Sequence, residues 1–200
     1  DKFIKNKDRF LEIKKTKTRE FRLNDEQISA LEFLEKVNNK FNVSVLQGTT
    51  GSGKTLVYFE RIKKIIKKTH QVLVLLPEIF LTNEFKSRFE EFFGFEPSIW
   101  HSKITPKQKR IIWKGLIKNK IKILVGARSA LLLPFKKLGL IIVDEEHDNS
   151  YKQDEGVIYN ARDMAISRAQ FENIPIHLVT SVPSIETFKN IQTKKYRHIK

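Results

Sequence analysis

The sequence predicts an α/β fold, a doubly wound, mostly parallel sheet with helices on both faces. Three observations predict it. Strand-like and helix-like segments alternate from residue 24 onward. Two strand-like runs, VLVLL at 72–76 and LIIVD at 140–144, are rich in Val, Leu and Ile rather than alternating with polar residues, which suits strands buried on both faces of a covered parallel sheet. A glycine-rich loop, GTTGSGKT at 48–55, joins a strand-like run to a helical one, and in such sheets ligands gather at the carboxyl ends of the strands.

Residues 1–22 are basic and short of paired apolar periodicity, so they read as a linker or arm ahead of a domain at 23–200. The KKTKTR run at 14–19 reads as a solvated tether, with contact to DNA phosphates as the other reading. At Asn24 the pattern changes. Asn24, with Gln27 three residues on, can cap a helix whose apolar face is Ile28, Leu31, Phe33, Leu34 and Val37. The pattern then predicts a strand at 43–47, a helix at 54–68, a strand at 72–76 and a helix at 81–93. A short strand at 98–100, a helix at 106–118 and strands at 121–125 and 138–143 follow. A helix at 161–172 leads to a last strand at 176–180, and a short helix at 184–191 is expected to close the chain. No internal repeat or low-complexity segment is present.

Composition narrows the class. A length of 200 residues at 40% hydrophobic suits one domain with a real core. No apolar run reaches the roughly 18 to 20 residues of a membrane span, and no N-terminal segment resembles a secretory signal. The chain has no cysteine, which excludes disulfides and thiolate metal sites within it. A cytoplasmic protein with no membrane partner is the default expectation. The net charge of +15 suits a polyanionic partner such as nucleic acid. Lys, Ile, Asn and Phe are all abundant, however, as an AT-rich coding bias would produce, and the lysines are spread widely. Charge alone leaves both readings open.

The glycine-rich loop carries chemistry. Gly48, Thr49, Thr50, Gly51, Ser52, Gly53, Lys54 and Thr55 fill every fixed position of G-x-x-x-x-G-K-[ST]. Its glycines permit backbone angles and close approach that a Cβ would block, so that amide N–H groups turn toward phosphate oxygens. Lys54 brings a positive charge to the β- and γ-phosphates, the Thr55 hydroxyl can ligate Mg²⁺, and the following helix adds its positive dipole end. These residues predict a nucleoside triphosphate site. A second signal is LIIVDEEH at 140–147, an apolar strand ending in carboxylates. Asp144 is expected to hold the Mg²⁺ through water, and Glu145 to orient and deprotonate the attacking water. Lys54 and Glu145 are therefore the expected catalytic residues.

DEEH at 144–147 marks superfamily 2 helicases of the DEAD/DEAH type broadly. The longer string DEEHDNSYKQ at 144–153 resembles the PriA-type family of bacterial replication-restart helicases. LLPEIFLT at 75–82, HSKIT at 101–105, VGARSALLLPF at 125–135, YNARD at 159–163 and SVPSIET at 181–187 agree in order and spacing, from about residue 23 to near the C-terminus. The resemblance implies a RecA-like P-loop NTPase lobe, the first motor lobe of an ATP-dependent 3′-to-5′ DNA helicase acting in replication restart.

Site residues follow from the resemblance. Gln27 would read the adenine edge, its amide offering a donor and an acceptor; completing the helix cap is the other reading, and both stay open. Residues 77–82 and 126–129 correspond to segments that track single-stranded DNA, with Arg128 and Ser129 in contact; a surface ion pair is the alternative for Arg128. The segment YKQDEGVIY at 151–159 matches an aromatic-rich loop, in which Tyr151 and Tyr159 would stack bases and Lys152 would meet a phosphate. Val157 and Ile158 stand where relatives often carry an aromatic followed by Arg, which weakens DNA sensing there. Glu146, His147, Thr180 and Ser181 are expected to couple hydrolysis to strand separation, although Val182 replaces the usual Thr. His101 and His147 lack further ligands nearby in sequence and are not read as a metal pair.

The resemblance also implies parts that residues 1–200 do not hold: a second lobe, an N-terminal DNA-binding region and a zinc-binding insertion. A second lobe supplies arginines to the cleft, a contribution of about 10³ to 10⁵ in rate in other NTPases. The start at Asp1, without an initiating Met, favours an excised piece over a broken gene. Expected partners are single-stranded and forked DNA, the second lobe, and primosome and single-strand-binding proteins. The lobe alone is expected to bind Mg–ATP and DNA weakly and to turn over almost nothing. The alternatives are a lobe of a RecG-like or restriction-type translocase, and a non-catalytic nucleic-acid-binding relic.

Overall fold

A computed structural model of the chain describes residues 21–36 and 40–200. The strands are β1 (Asn42–Gln47), β2 (Gln71–Leu75), β3 (Ser98–Trp100), β4 (Ile123–Gly126), β5 (Leu138–Asp144), the two-residue β6 (Lys152–Gln153) and β7 (Tyr159–Asn160), β8 (Pro175–Thr180) and β9 (Arg197–Ile199). The helices are α1 (Asp25–Glu35), α2 (Lys54–Lys67), α3 (Asn83–Phe93), α4 (Pro106–Ile117), α5 (Ala161–Phe171) and α6 (Ile185–Gln192).

Seven strands form one sheet in the order β3-β4-β2-β5-β8-β1-β9, every neighbouring pair parallel. Along β2, Val72 and Val74 enter one apolar cluster while Leu73 and Leu75 enter the other. Alternate residues of a strand point to opposite faces, so an unbroken apolar run is what two covered faces require. Helices α1, α2 and α3 cover one face through Leu34, Phe59, Ile62 and Phe89. Helices α4 and α5 cover the other through Leu116, Ala161, Ala165 and Ala169. The doubly wound α/β expectation therefore holds.

Differences are local. The helix expected from residue 81 begins at Asn83, because the Thr82 hydroxyl caps it by accepting the Phe85 N–H at 3.2 Å. Ile28, expected on the buried face of α1, is 42% exposed; the buried stripe is Ala30, Leu31 and Leu34. Residues 176–180 are not the last strand, and α6 does not close the chain. β9 follows it and pairs with β1, placing His198 opposite Val45. Three residues with two basic side chains, RHI, are too short to show a period. The small antiparallel hairpin β6–β7 was likewise not expected. Phe21 packs on Phe92 with ring centroids 5.7 Å apart, two residues ahead of the expected domain start. Residues 1–20, with the basic run at 14–19, and Val37 lie outside the described residues.

The register positions the site. Leu46 pairs with Val179 and Gln47 with Thr180, while Asp144 pairs with Val179. The phosphate loop, the Thr180 hydroxyl and the Asp144 carboxylate thus leave the sheet at one carboxyl edge.

Candidate functional site

The loop from Gly48 to Thr55 connects β1 to α2. Gly51 and Gly53 have φ of 83° and 84°, the left-handed region that glycine enters without penalty. Gly53 is constrained a second way, since a Cβ there would lie 2.3 Å from the Gln27 amide nitrogen. That nitrogen donates to the Ser52 carbonyl at 3.0 Å, while the Gln27 amide oxygen accepts the Asn24 N–H at 3.1 Å. The expected capping box is present, and the same side chain fastens α1 to the phosphate loop. Lys54 donates to the carbonyls of Gly48 at 2.7 Å and Thr49 at 3.0 Å, which holds its ammonium over the loop.

The turn after β5 arranges three carboxylates differently. Asp144 is buried, with Oδ2 accepting the Tyr58 hydroxyl at 2.9 Å and Oδ1 accepting the Glu145 N–H at 3.0 Å. Burial pushes its carboxyl up to about 6, with repulsion from Glu145 adding to the shift and the Tyr58 hydrogen bond and Lys54 opposing it. Glu145 has a φ of 49°, a strained conformation for a non-glycine residue and one found at functional sites. It leaves the side chain 25% exposed. Glu146 returns to the interior. Its Oε1 accepts the Ser184 N–H at 2.8 Å, and its Oε2 accepts from Arg162 at 3.1 Å and the Thr187 hydroxyl at 2.9 Å.

His147 Nδ1 lies 2.8 Å from the Thr180 hydroxyl, which itself donates to the Val182 carbonyl at 2.8 Å. A hydroxyl has one proton to give, so the imidazole Nδ1–H is the donor to Thr180. The link to residue 182 runs through its backbone, and the Val182 side chain is 66% exposed. Losing a side-chain hydroxyl at 182 leaves this link intact. Glu146, His147 and Thr180 are thus brought together, whereas Ser184 rather than Ser181 joins Glu146 by its hydroxyl.

The expected DNA contacts separate. Ser129 and Lys152 are exposed, and Tyr159 is half-buried. Arg128 donates to the Lys152 carbonyl, which ties the two expected DNA segments to each other. Tyr151 is a correction. It is 1% exposed, in the core with α5, and its hydroxyl shares its one proton between the carbonyls of Asp144 at 2.6 Å and Leu75 at 3.0 Å. Such a ring has no face for a base.

Tyr58, Arg162 and Ser184 were missed as site residues. Tyr58 stands three and four residues after Thr55 and Lys54, on the same helical face, which was the available signal. Arg162 and Ser184 lie in the segments at 159–163 and 181–187, in which roles were assigned only to Tyr159 and to Ser181.

Mg²⁺ suits this donor set. It takes one or two carboxylates and relies on substrate phosphates for the rest. Thr55 and Asp144 provide a hydroxyl and a carboxylate, and the carboxylate is held by Tyr58 of the helix that Lys54 and Thr55 begin. Among the described residues no group of three His, Cys, Asp or Glu forms an all-protein metal cage.

A glycine loop at the carboxyl edge of a parallel sheet, beside an acidic strand end, defines a RecA-like P-loop NTPase lobe. Residues 20–191 match the family described as type III restriction enzyme, res subunit, and the chain belongs to that family. It is 49% identical over 175 residues to the replication restart protein PriA of Rickettsia felis, covering 88% of this chain and 26% of that protein. It is 38% identical over 182 residues to PriA of Bacillus subtilis, covering 90% and 23%. The resemblance carried by the motifs is thus borne out, and the chain spans about a quarter of the length of these relatives. The fold is shared with the UvsW helicase from bacteriophage T4, with a TM-score of 0.62 and 16% identity over 92% of this chain and 62% of that one. It is shared also with RecG bound to a three-way DNA junction, with a TM-score of 0.63 and 23% identity over 86% and 22%.

Proposed function

We propose that this chain is the ATP-binding motor lobe of a DNA helicase of the replication-restart kind. The observation that carries the proposal is the level placement of the phosphate loop and Asp144 across β8, in a chain 38–50% identical to PriA proteins. The loop amides and Lys54 would hold the triphosphate. Thr55 and Asp144 would hold Mg²⁺, with Asp144 reaching it through water. Mg²⁺ would neutralise charge on the β- and γ-phosphates. Glu145, turned outward between two buried carboxylates, would orient and deprotonate the attacking water. Gln27 lies against the loop and would meet the adenine edge by exchanging a capping contact.

Arg128, Ser129, Lys152 and Tyr159 make the proposed contact with single-stranded DNA, at forks in the whole protein. Movement from 3′ to 5′, partnership with primosome and single-strand-binding proteins, and a cytoplasmic setting belong to this proposal. So does a second lobe closing over the ATP, because the match spans about a quarter of the relatives. The lobe alone should bind Mg–ATP and DNA weakly and turn over almost nothing.

The family's description favours a second reading, the motor of a restriction-type translocase. Identity with PriA favours the first.

Titrating Mg–ATP into the wild-type chain and into Glu145→Gln is the test. Both should bind, since the substitution removes the base and not the phosphate site. Absence of Mg-dependent binding in both would make the lobe a relic. DNA-stimulated hydrolysis at the rate of a complete helicase would contradict the need for a second lobe.

A further inference from the structure

The Asp144 carboxylate is held from two sides, by its chain neighbour Glu145 and by the helix that follows the phosphate loop. Tyr58 is fully buried in α2. Its hydroxyl donates to Asp144 Oδ2 at 2.9 Å. Asp144 Oδ1 meanwhile accepts the Glu145 N–H at 3.0 Å. With a donor on each oxygen, the carboxylate has one rotation available. Tyr58 thus reaches the proposed metal-binding carboxylate from the loop's own helix, three residues after Thr55.

We propose that Tyr58 is a positioning residue for magnesium, fixing the Asp144 carboxylate in the orientation that Mg–nucleotide needs beside Thr55. The inference rests on the nucleotide reading above. The competing account is structural: a buried tyrosine takes whatever hydrogen-bond partner lies within reach. The two differ in what removal of the hydroxyl changes. Loss of a group that orients a metal ligand lowers metal affinity by about 10- to 100-fold. A packing role instead changes stability and leaves metal dependence alone.

The test is a fluorescent-ATP titration of the full chain, wild type and Tyr58→Phe, in Mg²⁺ and in EDTA. In EDTA the two should agree within about twofold, which also shows that the variant is folded and its loop intact. With Mg²⁺ the variant should lose most of the gain in affinity, and its Mg²⁺ midpoint should rise roughly tenfold. An unchanged Mg²⁺ midpoint in the variant, with Lys54→Ala abolishing binding, would overturn the positioning role and leave the nucleotide site standing. No Mg-dependent binding in the wild type would overturn both.

A second measurement covers a variant that does not fold. The chain has four tyrosines, so ¹³Cζ-tyrosine resonances can be assigned by replacing the other three in turn. The Tyr58 resonance should move with Mg–nucleotide and not with nucleotide in EDTA. A resonance indifferent to Mg²⁺ would overturn the inference.

Discussion

The turn after β5 and the β6–β7 hairpin are close in sequence and are held in contrasting ways. In the turn, Asp144 and Glu146 are 8% and 2% exposed, and each of their carboxylate oxygens accepts a hydrogen bond from the protein. Only Glu145, between them, is directed outward. In the hairpin, two-residue strands flank a tip where Val157 and Ile158 are 77% and 78% exposed. Tyr151 joins the regions, with its side chain in the core under Asp144 and its neighbour Lys152 on the surface. A site that handles phosphate works by fixed geometry. A surface proposed to meet single-stranded DNA works with exposed charge and stacking faces. Substitutions in the turn should therefore unsettle the whole lobe, while those in the hairpin should alter contact alone.

The largest expected effect is at Glu146. Glu146→Ala leaves Arg162 buried without one of its carboxylates, although the Asp163 ion pair at 2.8 Å remains. Breaking a buried pair costs about 3–5 kcal/mol, which lowers the melting temperature by roughly 10 °C for a chain of this size. A melt within about 2 °C of wild type would show that the turn is not held through Glu146.

Tyr151→Phe comes next. It removes the hydroxyl shared by the Asp144 and Leu75 carbonyls and should cost about 1–3 kcal/mol, with single-stranded DNA affinity unchanged. Tyr159→Phe should be neutral within about 0.5 kcal/mol. A Tyr151 variant that keeps its stability and loses DNA binding would restore the stacking role that burial denies it.

The proposed nucleotide edge was legible in the sequence because the requirements of such a site are local. Gly51 and Gly53 answer backbone angles, Lys54 and Thr55 answer phosphate and metal, and a strand ending in Asp144 carries its own signature. Tyr151 was misplaced because motif position fixes which loop a residue belongs to, not which way its ring turns. That direction is set by contact with Leu75 and α5, 76 residues away and 10 or more away respectively along the chain. Tyr58 and Ser184 were missed for the same reason, since their roles exist only once β5, α2 and α6 converge. β9 was missed because three residues hold too little pattern to read.

A finer effect sits within the sheet. His177 on β8 is fully buried and lowered to about 3, by burial first and then by Arg61. A histidine depressed from 6.5 stabilises the fold fully above about pH 6.5 and loses that contribution as pH falls toward 3. Asp144 runs the other way. Raised from 3.8 to about 6, it contributes most below about pH 4 and loses this as pH rises through 6. Thermal melts of His177→Leu should fall less than wild type between pH 6.5 and 4, by roughly 5 °C. Parallel pH curves would show that His177 does not govern acid sensitivity.

The smallest effect belongs to the hairpin. Lys152→Ala should leave the melt unchanged and weaken single-stranded DNA binding a few-fold, reducing the log–log salt slope by about 0.7. A salt slope equal to wild type would remove Lys152 from the proposed surface.

The central claim is that Gly48–Thr55 and Asp144 together form an Mg–ATP site. Calorimetric titration of Mg–ATP into the wild-type chain and Lys54→Ala tests it most directly. Saturable binding in the wild type and none in the variant is the predicted result. Equal affinity in both would contradict it, because the nucleotide would then lie somewhere other than the phosphate loop.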